Sequence, residues 1–105
     1  MVTNSEINQF KKKGFFIKKN FFKKDYIYKV LREVAFIKKD NSKNFYKYYE
    51  KSILNKNKLV LVRVENFYQI SKILTKLIEK KLINQVLSKI LKGKAVIFKE
   101  KINFK

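Results

Sequence analysis

Between Lys24 and Lys38 the apolar residues Ile27, Val30, Leu31, Val34 and Ile37 recur at the spacing of one face of a helix. That pattern predicts a helix whose stripe faces a core. A shorter helix is expected at the start of the chain. Thr3-Asn4-Ser5-Glu6 has the capping-box pattern, and Ile7 and Phe10 give it one apolar side. Gly14 follows Lys11, Lys12 and Lys13, where a left-handed residue stops a helix and cations meet the negative end of its dipole. Two further helices are expected over about Tyr68–Glu79 and Leu82–Lys92. Ile70, Ile73, Leu74, Leu77 and Ile78 share one face, and Leu82, Ile83, Val86, Leu87, Ile90 and Leu91 share another. The phase slips near Lys80–Lys81, which predicts a joint, and Gly93 is expected to close the second helix.

Other stretches follow the shorter period of a strand. Phe15–Lys19 reads as a short strand, and Leu59–Asn66 as a strand buried on at least one side. Lys94–Lys105 alternates, with Val96, Phe98, Ile102 and Phe104 on one side. Asn44–Ser52 is open to two readings: a half-buried strand, or aromatics interleaved with lysines for stacking on bases. The order is helix, strand, helix, extended region, strand, two helices and strand, an α+β layout. No Pro, Gly or Ser-rich linker divides the chain, so residues 1–105 are read as a single domain, and a partial one. The strand pattern still runs at Lys105, which leads us to expect that a full domain continues beyond it.

Composition narrows the chemistry. The chain has neither Cys nor His, which removes disulfides, Cys–His or Ser–His catalysis, and the usual zinc and non-haem iron ligand sets within it. The longest apolar runs, such as Val34–Ile37 and Ala95–Phe98, are far short of the roughly 20 residues of a membrane span. The N-terminus lacks the layout of a signal peptide, so a cytoplasmic location is the expectation.

The net charge of +19 suggests nucleic acid as a partner. The choice of cation argues otherwise, because arginine, the usual residue for bidentate phosphate and base contacts, occurs only at Arg32 and Arg63. Residues with AT-rich codons (Phe, Tyr, Met, Ile, Asn and Lys) make up 64 of the 105. The lysines therefore read mainly as a codon signature. None of the eight carboxylates forms a helical i, i+3 or i, i+4 pair, and the only glycines, Gly14 and Gly93, make no phosphate loop.

Three stretches, in order, carry a family resemblance. Ser5–Phe22 (SEINQFKKKGFFIKKNFF) resembles the opening of phytanoyl-CoA dioxygenase-like proteins. Arg63–Phe67 (RVENF) resembles a motif at the end of an early strand of that family, and Phe98–Lys105 (FKEKINFK) resembles its strand of the form F-K-D-K-x-x-x-K. The resemblance implies the N-terminal helices and first strands of a double-stranded β-helix (jelly-roll) dioxygenase, truncated before the metal-binding core. It implies Fe(II)- and 2-oxoglutarate-dependent hydroxylation of a small organic substrate by a full-length relative. The H-x-D and later His that hold iron in the family have no counterpart here. The chain itself is thus expected to hold no cofactor, and to meet substrate only if a C-terminal half is supplied. Carried over by position, Arg63 and Lys101 fall near the 2-oxoglutarate pocket of relatives. The plainer readings are a surface ion pair of Arg63 with Glu65 or Glu50, and a solvated strand face for Lys101. The rival classes are a small lysine-rich nucleic-acid-binding module and a subunit whose helices contact a partner protein.

Overall fold

The computed structural model describes residues 2–104 and has the element order α1 (Asn4–Lys13), α2 (Lys24–Lys39), β1 (Tyr46–Lys51), β2 (Leu59–Glu65), α3 (Lys72–Ile78), α4 (Lys81–Leu91) and β3 (Ile102–Asn103). The three strands form one antiparallel sheet in the order β1-β2-β3. The α+β class thus stands.

The capping box of α1 is formed: Glu6 N–H donates to Thr3 Oγ1 at 3.1 Å, and Thr3 N–H donates to Glu6 Oε1 at 2.9 Å. Gly14 closes the helix at φ +81° with its N–H on the Phe10 carbonyl. The end of α4 differs from expectation. Lys92, not Gly93, takes the left-handed conformation, at φ +55°.

The core is small. Ile37 of α2, Phe45, Val64 of β2, Phe67 and Leu74 of α3 are buried together, with Val30, Val34, Leu77, Ile102 and Phe104 packed around them. One face of the sheet therefore lies on α2 and α3. The predicted stripe of α2 is only partly used: Val30, Val34 and Ile37 face the core, while Ile27 and Leu31 are exposed. Helix α4 buries no residue completely.

Two predicted strands are corrected. Phe15–Lys18 has no regular structure, because no strand lies beside it and Gly14 and Asn20 both turn the chain with positive φ. The last strand shrinks to Ile102–Asn103. Ile102 pairs with Val64 and Asn103 with Arg63, and β2 ends at Glu65 because Asn66 turns away at φ +64°. The residues before Ile102 run extended with no strand to pair with.

The molecule is drawn out, 51 × 29 × 27 Å, with a radius of gyration of 16.9 Å. A compact domain of this length would have about 13 Å. Its accessible surface is 8942 Å², against about 6,200 Å² for a folded monomer of this mass. Part of the excess comes from Ile53, Leu54, Val96 and Phe98, all at least 80% exposed.

Candidate functional site

Arg63 sits mid-strand in β2, and strand alternation turns it away from the face on which its neighbour Val64 is buried. Its cross-strand partner is Tyr48 of β1, and the guanidinium carbon lies 4.2 Å from the centre of the Tyr48 ring. That is cation–π distance, on a face open to solvent. Two residues along β2, Glu65 brings Oε2 to 2.8 Å from Arg63 Nε. Nε is buried, but the contact is not aligned along its N–H, so it acts as a charge pair and leaves that hydrogen bond unmade. Glu65 also reaches Lys99 Nζ at 3.4 Å. Glu65, one of the two salt-bridge partners expected for Arg63, is in place.

Lys101 is exposed and stands just before β3. It belongs to the wall of a groove of about 610 Å³ that runs between α2, α3 and the extended segment, with Val34, Phe67, Leu77, Val96 and Ile102 among its other walls. Arg63 is not in that wall. The two residues singled out from the sequence are therefore one strand apart but do not line a common cavity there.

Sequence reasoning missed three contacts that hold this region together. Tyr68 N–H donates to Glu100 Oε2 at 3.2 Å, tying the turn after β2 to the segment before β3. Tyr68 Oη donates to Glu79 Oε2 at 3.0 Å, and that bond is the main reason the phenol is held above the ordinary tyrosine range. Lys47 of β1 donates its ammonium to the Lys38 and Asp40 carbonyls at the end of α2, where the helix dipole is negative. Such lysine roles have no local sequence signature, since one lysine among 25 looks like the rest.

The aromatic stretch resolves as a strand. Phe45 is buried, whereas Tyr46, Tyr48 and Tyr49 are all at least 40% exposed. Tyr46 and Tyr48 share the outer face with Arg63. Among the described residues no group of three or more His, Cys, Asp or Glu is placed to hold a metal ion, and no helix is long and apolar enough to cross a membrane.

Apolar grooves are the other prominent feature. One of about 600 Å³ lies between Phe16, Phe21, Phe22 and Ile27 on one side and Ile83, Val86 and Leu87 of α4 on the other. A second, of about 440 Å³, shares Phe22, Ile83 and Leu87 with it and continues to Val96 and Ile97. The groove containing Lys101 shares Leu87, Val96 and Ile97 in turn. Together they make one apolar trough between the helices and the extended segment. Compared with family models, curated proteins and solved structures, the chain matches none of them.

Proposed function

We propose that this chain is the N-terminal part of a phytanoyl-CoA dioxygenase-like, Fe(II)- and 2-oxoglutarate-dependent hydroxylase of a small organic substrate, and that it does not turn over by itself. One observation carries the reading. Two of the stretches that resemble the family, Arg63–Phe67 and the residues from Phe98 onward, lie side by side. Arg63 pairs with Asn103, Val64 pairs with Ile102, and Glu65 meets Lys99. The bare trough and the large accessible surface are what a domain lacking part of its core would leave.

The residues present do not fit an iron site. The chain has no histidine, so the two imidazoles of a 2-His-1-carboxylate set would have to come from another segment. Arg63, already engaged by Glu65 and Tyr48, has a guanidinium held in place on adjacent strands; Lys101 has no ion pair among the described residues and belongs to the groove wall. In this reading they are the chain's own contribution towards an anionic co-substrate.

The test begins with the source DNA beyond codon 105, read in all three frames. An H-x-D after a Pro/Gly turn, in frame or one shift away, is expected. The polypeptide it encodes, produced together with this chain, should then convert 2-oxoglutarate and O2 to succinate and CO2 in the presence of Fe(II). Absence of such a segment in every frame, or a reconstituted pair that forms no succinate, would overturn the proposal.

A second reading rests on Tyr46 and Tyr48, exposed beside Arg63 on the outer sheet face of a protein of net charge +19. Such a face can stack bases of a single strand. It stands second because the cations are almost all lysine, with arginine only at Arg32 and Arg63. If it is correct, Tyr46→Ala and Tyr48→Ala weaken binding of an oligothymidine at fixed salt without changing the salt slope, because they remove stacking and no charge.

A further inference from the structure

The segment Lys94–Lys101 is extended and lies outside every helix and strand. Among the described residues none of its backbone N–H or C=O groups is bonded to another backbone group, and its polar ties are the Glu100 carboxylate on Tyr68 N–H and the Lys99 ammonium beside Glu65. Val96 is 80% and Phe98 98% exposed. An extended, apolar, unpaired stretch is a template for another strand.

We propose that the occupant is the same segment of a second copy, paired antiparallel about Ile97. The sequence Lys94-Ala95-Val96-Ile97-Phe98-Lys99-Glu100 is complementary to its own reverse. With Ile97 opposite Ile97, each Val96 faces the partner's Phe98, an aromatic–β-branched pair of the kind that stabilises sheets. Each Lys94 then faces the partner's Glu100, so the charges at both ends of the pairing are complementary. Such a contact is isologous and closes at two copies. Shifting the register by two residues loses the Lys94–Glu100 match in both directions, and the Lys92–Glu100 match that one shift would create falls on the left-handed cap of α4, so the charge pattern selects this alignment. The inference stands apart from the dioxygenase reading, since it needs only the unpaired segment.

Opposing it is the charge of +19 on each copy. That repulsion is long-ranged and screened by salt, whereas strand pairing is short-ranged. Association should therefore strengthen as salt rises, the opposite of nucleic-acid binding.

Sedimentation equilibrium of the full chain at about 0.1 M and about 1 M salt, where the Debye length falls from ~10 to ~3 Å, tests the inference. The expected result is a monomer–dimer equilibrium whose dissociation constant falls at least about tenfold over that range. Ile97→Pro removes a ladder N–H and should leave a monomer at both salts, with unchanged helical circular dichroism. Phe98→Lys replaces a side chain that is almost wholly exposed, so it should spare the fold and also abolish the dimer. A monomer at both salts, a dimer that survives both substitutions, or open-ended oligomers in place of a closed dimer would each overturn it.

Discussion

Ser71 and Glu33 join α3 to α2 through one short hydrogen bond, from Ser71 Oγ to Glu33 Oε2 at 2.6 Å. The same hydroxyl accepts from Leu74 N–H at 3.2 Å and so caps α3. Ser71 is the buried polar residue beside the core. Ser71→Ala removes both bonds and leaves a partly buried carboxylate without its donor. The expected loss is about 1–3 kcal/mol, read as a lower urea midpoint. Glu33→Gln keeps an acceptor at this place and should cost less.

Ile37 and Val64 are fully buried, and they meet where α2 crosses the sheet. Ile37→Ala should cost about 2–5 kcal/mol. Small domains have a total of about 5–15 kcal/mol, and this core is thin. The variant is therefore expected to lose cooperative thermal unfolding altogether, whereas Leu31→Ala, at an exposed position of the same helix, should leave the melting curve nearly unchanged.

The ends of α1 and α4 give a matched pair. Gly14 sits at φ +81° with open space where a Cβ would go, so Gly14→Ala costs only the backbone strain, about 1 kcal/mol. Lys92 occupies the equivalent left-handed cap of α4 with a side chain. Lys92→Gly should raise stability by roughly 0.5–1 kcal/mol. Opposite shifts in Tm are the check.

Acid should loosen the N-terminus first. The Glu6 carboxyl is held below the ordinary glutamate range, chiefly by the Thr3 backbone N–H and next by the Lys18 ammonium at 3.0 Å. A folded value below the unfolded one means the contribution is complete above the ordinary range and is lost as pH falls through the folded value. Asp40 is lowered in the same sense, mainly by the Ser42 hydroxyl. Amide signals of α1 are expected to shift towards coil values in that acid window before the core residues respond. In Glu6→Gln the acid step in α1 should vanish. If α1 and the core instead melt together at every pH, the local account fails.

The helices were legible to within a few residues because capping and periodicity are local. Thr3-x-x-Glu6 and the glycine after three lysines place α1 by themselves. The stripe of α2 predicted its existence and type, but not that Ile27 and Leu31 would stay exposed, since burial depends on what lies opposite. Strands fared worse for the same reason. Phe15–Lys18 and Lys94–Lys101 carry strand-like patterns with no partner strand in the fold, and pattern alone does not reveal a missing neighbour. At the candidate site, the Arg63–Glu65 pair was foreseeable from alternation along one strand. The Tyr48 stack and the Lys99 contact needed the register, which the sequence does not state.

That register carries an irregularity. Tyr48 faces Arg63, but Tyr49 faces Leu61, so Val62 is an extra residue in β2. It resets the odd–even count midway along the strand, so that Leu61 and Val64, three apart, both pack towards the core. Deleting Val62 would be a frameshift in space: every side chain on one half of the strand would change sides while the reading of the other half stayed intact.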